Sequence, residues 1–163
     1  MMRKVAPLLL IAFLLGSEQA TADDYAAKLH GVWKIVSLKA QIVGENIAPI
    51  QSLGPNPRGY LIFLPEGRMI SLIMSADRKP PTNDAESAAL LRTMVSYSGK
   101  YTVDAEKFVT TPDVSWNERY TGHEQVRYYR LDGNRLFTRS AEEPSALFPG
   151  KRIVATTEWV REE

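Results

Sequence analysis

There is no cysteine anywhere in the 163 residues. Disulfides, thiolate metal sites and a cysteine nucleophile are therefore excluded. Histidine is scarce as well: His30 and His123 are the only two. Neither stands in HxH or HExxH spacing, and no carboxylates cluster beside them, so no metal ligand set and no cofactor are expected. A Gly-x-Ser-x-Gly elbow is missing too. Charge of one sign is not in excess, since 20 Lys and Arg stand against 19 Asp and Glu. Nothing in that balance draws the chain to nucleic acid or to anionic lipid. Repeats, like-charge runs and low-complexity segments are absent.

Long hydrophobic runs are also missing. The chain opens with Arg3 and Lys4, then the apolar run Val5–Leu15, then the small residues of Ala20-Thr21-Ala22. The run falls short of the roughly 20 apolar residues that span a bilayer. Its layout is that of a secretory leader with cleavage after Ala22. Residues 1–22 are thus expected to be a signal peptide, and residues 23–163 one exported domain, periplasmic or secreted. No stable membrane insertion is expected once the leader is gone, and no cysteine follows the run to carry a lipid. Loss of Arg3, Lys4 and Glu18 brings the charges into balance.

What is present is β-structure. β-Branched and aromatic residues recur in short stretches bounded by Gly, Pro, Asn and Asp. Eight strands are expected: about Val32–Val43, Gly59–Leu64, Arg68–Ser75, Ser96–Asp104, Lys107–Ser115, Gly122–Leu131, Arg135–Ala141 and Lys151–Arg161. One helix interrupts them. Asn83 and Glu86 stand at capping-box spacing, and Leu90, Leu91, Met94 and Val95 follow as an apolar stripe.

Short and long connections alternate. The tight ones are Pro65–Gly67, Asp104–Lys107 and Asp132–Arg135, the last with Gly133-Asn134 where positive φ is needed. In an up-and-down meander this puts the tight turns at one end and the long segments at the other. The expected fold is all-β: an eight-stranded antiparallel up-and-down barrel, with one short helix near its open end. Such a barrel is just wide enough for one small ligand. Closure would bring Trp33 of the first strand beside Trp159 and Arg161 of the last, as structural residues of the floor.

Several stretches carry a family resemblance: Gly31–Ser37 (GVWKIVS), Arg58–Met74, Asp77–Thr82 (DRKPPT), Tyr97–Tyr101 (YSGKY), Gly122–Leu136 and Thr157–Arg161 (TEWVR). In that order they resemble the lipocalin-like domain family of bacteria and fungi, within the calycin group. The resemblance implies a barrel with a small-molecule cavity and a Trp33–Arg161 floor contact. It implies no catalytic motif. Relatives often place a histidine on the fifth strand, where this chain has Thr110, Thr111 and Pro112.

The fourth strand alternates cleanly. Tyr97, Gly99, Tyr101 and Val103 share the inward face, with Gly99 leaving room between the tyrosines. Leu131 should oppose Leu136. Counting back by twos turns Tyr129, Arg127 and Gln125 inward, with Thr138 and Ser140 opposite. Phe63, Leu61, Met69 and Ile73 are further lining candidates. The candidate ligand-binding residues are therefore Arg127, Tyr97, Tyr101, Tyr129, Gln125, Phe63 and Met69. An inward Arg127 cannot shed its proton, so it needs an anion or several acceptors. Its partner is a ligand carboxylate or phenolate, an internal acid such as Asp113 or Glu158, or a set of carbonyls. The internal acid is the usual solution. At the mouth, Trp116, Tyr120, Leu147 and Phe148 could cap a ligand or pack onto the barrel.

No residue is assigned to catalysis. His123 and Glu124 are adjacent on an expected strand and would face opposite sides. The function expected is an exported protein that binds a small, largely apolar molecule, neutral or with one anionic group. The alternatives are an isomerase or cyclase using the same cavity, and a protein-interaction module with a packed barrel. The sequence leaves the ligand and the oligomeric state open.

Overall fold

The computed structural model describes residues 20–46, 49–145 and 148–162. Most of the expected leader, and Leu147 at the mouth, lie outside the described residues. Nine strands appear among them: β1 Gly31–Ile42, β2 Arg58–Leu64, β3 Arg68–Met74, β4 Met94–Val103, β5 Lys107–Ser115, β6 Gln125–Asp132, β7 Arg135–Ser140, β8 Glu143–Pro144 and β9 Arg152–Arg161. Two helices accompany them, α1 Ala22–Leu29 and α2 Asp84–Leu91.

Each long strand pairs antiparallel with its neighbour in sequence, and β9 returns to β1, so the sheet closes. The closing register sets Trp33 opposite Arg161 and Ile35 opposite Trp159. The expected barrel is present, with β8 as an extra two-residue strand on the stretch of β9 that lies beyond the end of β7. β8 escaped the sequence pattern because two residues, one of them proline, carry no alternation.

The floor explains the Gly-x-Trp opening of β1. Trp33 is fully buried, and its indole Nε1 donates to the Leu29 carbonyl at 2.8 Å. The Arg161 guanidinium lies over the indole, 4.1 Å from the ring centroid. The same guanidinium donates from Nη1 to the His30 carbonyl at 2.6 Å and from Nη2 to the Lys28 carbonyl at 2.7 Å. A cation thus satisfies the free carbonyls at the end of α1 and complements its dipole. Helix α1 was not expected. Its signal, a Thr21–Asp24 capping box, is present in the sequence but falls at the leader junction.

Helix α2 forms where expected, with the Asn83 side chain accepting from the Glu86 amide at 2.9 Å. Its length differs. The helix ends at Leu91, and Met94 and Val95 open β4 instead of continuing an apolar stripe. The Glu86 carboxylate turns to the Thr82 amide and hydroxyl rather than back to Asn83.

Inward and outward faces follow the alternation. Leu61 and Phe63 of β2, and Met69, Ser71 and Ile73 of β3, are buried. On β6, Leu131 opposes Leu136, Tyr129 opposes Thr138 and Arg127 opposes Ser140. Phe63 meets Tyr101 and Phe108 edge-on, each with ring centroids 5.1 Å apart. Each such buried ring stabilises the lower barrel by about 1.5–3 kcal/mol. The role expected for Gly99 needs correction. It sits beside a bulge at Asp113, and a Cβ there would drive into the Thr111 carbonyl oxygen. Its smallness admits a neighbouring backbone rather than opening the lumen.

Candidate functional site

Above the aromatic floor the barrel encloses a cavity of about 80 Å³. Its walls are largely apolar, with Leu61, Met69, Ile73, Phe108, Ile153 and Trp159 among them, and the hydroxyls of Ser71, Thr138 and Thr157 are set into them. Its polar side is narrow: Tyr97, Tyr120, Arg127 and Glu143 converge there. The strands place these groups by parity. Tyr97 and Arg127 fall on inward positions of β4 and β6. Tyr120 and Glu143 come from the long connections at the open end.

Arg127 and Glu143 form a two-pronged ion pair. Nη1 donates to Oε2 at 3.0 Å and Nη2 to Oε1 at 3.2 Å. Nη1 also donates to the Val126 carbonyl at 2.9 Å. The two side chains are only 14% and 18% exposed. Burial alone would lower the Arg127 pKa, but the Tyr97, Glu143 and Tyr120 oxygens outweigh it and hold it above the ordinary value. The guanidinium is charged at any pH the fold survives.

Tyr97 and Tyr120 stack with centroids 5.9 Å apart, and Trp116 packs on Tyr120 at 4.9 Å. Burial raises the Tyr97 hydroxyl pKa. Burial, with the Glu143 charge behind it, pushes Tyr120 up to about 12. Both phenols therefore stay protonated near neutrality and can donate to an acceptor beside Arg127.

The internal acid is neither of the two expected. Asp113 is taken by Arg68, at 2.9 and 2.6 Å, and Glu158 by Arg135. Glu143 was missed because it follows β7 in a connection, where the strand pattern has stopped. The available signal was an acid at the mouth end, close in sequence to the strand that opposes Arg127.

The remaining candidates divide between two places. Phe63, Tyr101 and Tyr129 lie in the packed layer below the cavity and do not line it. Tyr129 donates to the Asp104 carbonyl at 2.9 Å. Tyr101 has no hydrogen-bond partner for its hydroxyl among the described residues. Gln125 lines a second, outer chamber of about 590 Å³ together with Asn117, Arg119 and His123. Its Nε2 donates to the His123 carbonyl at 3.1 Å, while its buried Oε1 has no partner among the described residues. Tyr120, Glu143 and Ser145 border both spaces and partition them. Trp159, expected only at the floor, also walls the lumen. Strand β6 begins at Gln125, so the alternation argument does not separate His123 from Glu124; both line the outer chamber. Thr110, on the fifth strand, is fully buried.

The arrangement suits recognition: an apolar lumen excludes water, and a fixed guanidinium with two phenols marks its polar side. A family model described as a lipocalin-like domain matches residues 30–161. No match was found among curated proteins or among solved structures.

Proposed function

The chain belongs to the lipocalin-like domain family, and from that premise we propose that it is an exported protein that holds one compact, largely apolar molecule in its barrel. The observation that carries this is the lumen itself, largely apolar on its walls, with Tyr97, Tyr120, Arg127 and Glu143 converging on one side. Its volume of about 80 Å³ favours a ligand of single-ring size, well below the roughly 300–1,000 Å³ of drug-sized pockets. An anionic group on that ligand would find its counter-charge at Arg127. Export rests on the leader layout of residues 1–22.

A packed barrel that grips another protein by its mouth loops is the rival, and the modest lumen favours it. Thermal unfolding in the presence of a panel of compact apolar molecules separates the two. Binding to the folded state alone raises the midpoint with ligand concentration, by an amount that follows the dissociation constant. A concentration-dependent rise for ring-sized members supports the proposal. No rise for any member supports the packed barrel.

A further inference from the structure

We infer that Glu143 occupies the place of a ligand carboxylate, and that a small hydrophobic monocarboxylate enters by exchanging with it on Arg127. The inference rests on the binding function proposed above and names its ligand class and its gate.

The geometry is that of a carboxylate already bound. Both Glu143 oxygens face both terminal nitrogens of Arg127. This is the planar, two-pronged match that selects a carboxylate over other anions. The two partners are mounted differently. Arg127 sits within β6, paired to Phe108 on one side and Ser140 on the other. Glu143 sits on the two-residue β8, which among the described residues pairs only with Ile153 and Arg152 of β9.

Glu143 also stands in the partition between lumen and outer chamber. Moving its side chain outward joins the two spaces and opens an entry path. The outer chamber is lined by Arg119 and His123 as well as by Glu124 and Glu142, and Glu142 is already paired with Arg152, so a released carboxylate meets Arg119 there as a counter-charge. A ligand acid then sets its carboxylate on Arg127, between the Tyr97 and Tyr120 hydroxyls, with its ring or short chain against Leu61, Met69 and Trp159. Arg127 is paired in both states. The exchange therefore never leaves a buried cation alone, the costly outcome in a weakly polar interior.

Isothermal titration with benzoate and its neutral isostere benzamide tests this on the full folded protein. Glu143→Gln removes the competing charge. It should tighten benzoate by about tenfold or more, by the shift in the competing population, and leave benzamide within about twofold. Benzoate affinity that is unchanged or weaker in Glu143→Gln overturns the exchange while leaving a binding lumen in place. The double variant Arg127→Met/Glu143→Leu removes the pair without stranding a charge, which guards against a single variant that fails to fold. It should lose any preference for benzoate over benzamide, and a retained preference overturns the proposal. Binding of neither probe by any variant overturns the proposed function together with this inference.

Discussion

The Arg161 guanidinium lies over the Trp33 indole, 4.1 Å from its centroid, while its two terminal nitrogens close the carbonyl end of α1. One side chain from the last strand thus ties together the first strand and the helix before it. Arg161→Ala should cost about 2–4 kcal/mol, because the charged hydrogen bonds and the cation–π stacking disappear together. Arg161→Lys should recover only part of this, since an ammonium cannot fork between two carbonyls while stacking. Denaturant midpoints measure the loss. Hydrogen exchange should show the amides of α1 deprotected first, and an Arg161→Ala variant of full stability would refute the tie.

Gly99 faces the Thr111 backbone, not empty lumen. Gly99→Ala should therefore cost about 3 kcal/mol, because a backbone cannot yield as a side-chain tip can. Gly133 is the control. It has φ 58° with open space around its Cβ position, so Gly133→Ala should cost only the left-handed penalty of about 1–2 kcal/mol. Equal losses at the two positions would contradict the bulge packing.

Alkaline stability should report Tyr120. Its ordinary pKa of 10.0 is pushed up to about 12 by burial, with Glu143 adding to it. The unfolded chain thus releases this proton first. The tyrosine's contribution is complete below pH 10.0 and is lost as the pH rises toward about 12. Urea midpoints measured across that window should fall less steeply in Tyr120→Phe than in the unaltered protein. The 295 nm absorbance should show one late-titrating phenol fewer in the variant. Identical slopes would remove Tyr120 from the buried cluster.

Cleavage after Ala22 would take away Thr21, the N-cap of α1. N-terminal sequencing of protein recovered from outside the cytoplasm should begin at Asp23. Loss of such a cap costs about 1 kcal/mol. The processed chain should be less stable by about that amount than one that starts at Ala20, with the carbonyl end still held by Arg161. A native N-terminus at Met1 or Met2 would dismiss the leader.

The barrel was legible because β4 alternates without a break and the Gly133-Asn134 hairpin sets Leu131 opposite Leu136, so Tyr97 and Arg127 could be turned inward by counting alone. Closure was legible from Trp33 and Arg161, a pair at opposite ends of the folded segment. The partner of Arg127 was not. Glu143 lies on a two-residue strand in a long connection, and only the chain's path over the mouth decides which acid arrives. The fate of Tyr101 and Tyr129 was equally hidden. Period-two counting gives the face of a strand but not the height along a tilted barrel, and both residues fall in the filled layer rather than the open one. Helix α1 was overlooked because its capping box overlaps the leader junction.

The lumen as a binding site is tested most directly by filling it. Ser71 is buried on β3 and walls the cavity. Native mass spectrometry should compare the unaltered protein with Ser71→Phe, both purified in parallel from the native source without denaturant. A compact molecule should be retained on the unaltered protein and none on Ser71→Phe, with closely similar circular dichroism for the two. The same added mass on both proteins would place the ligand elsewhere and contradict the account.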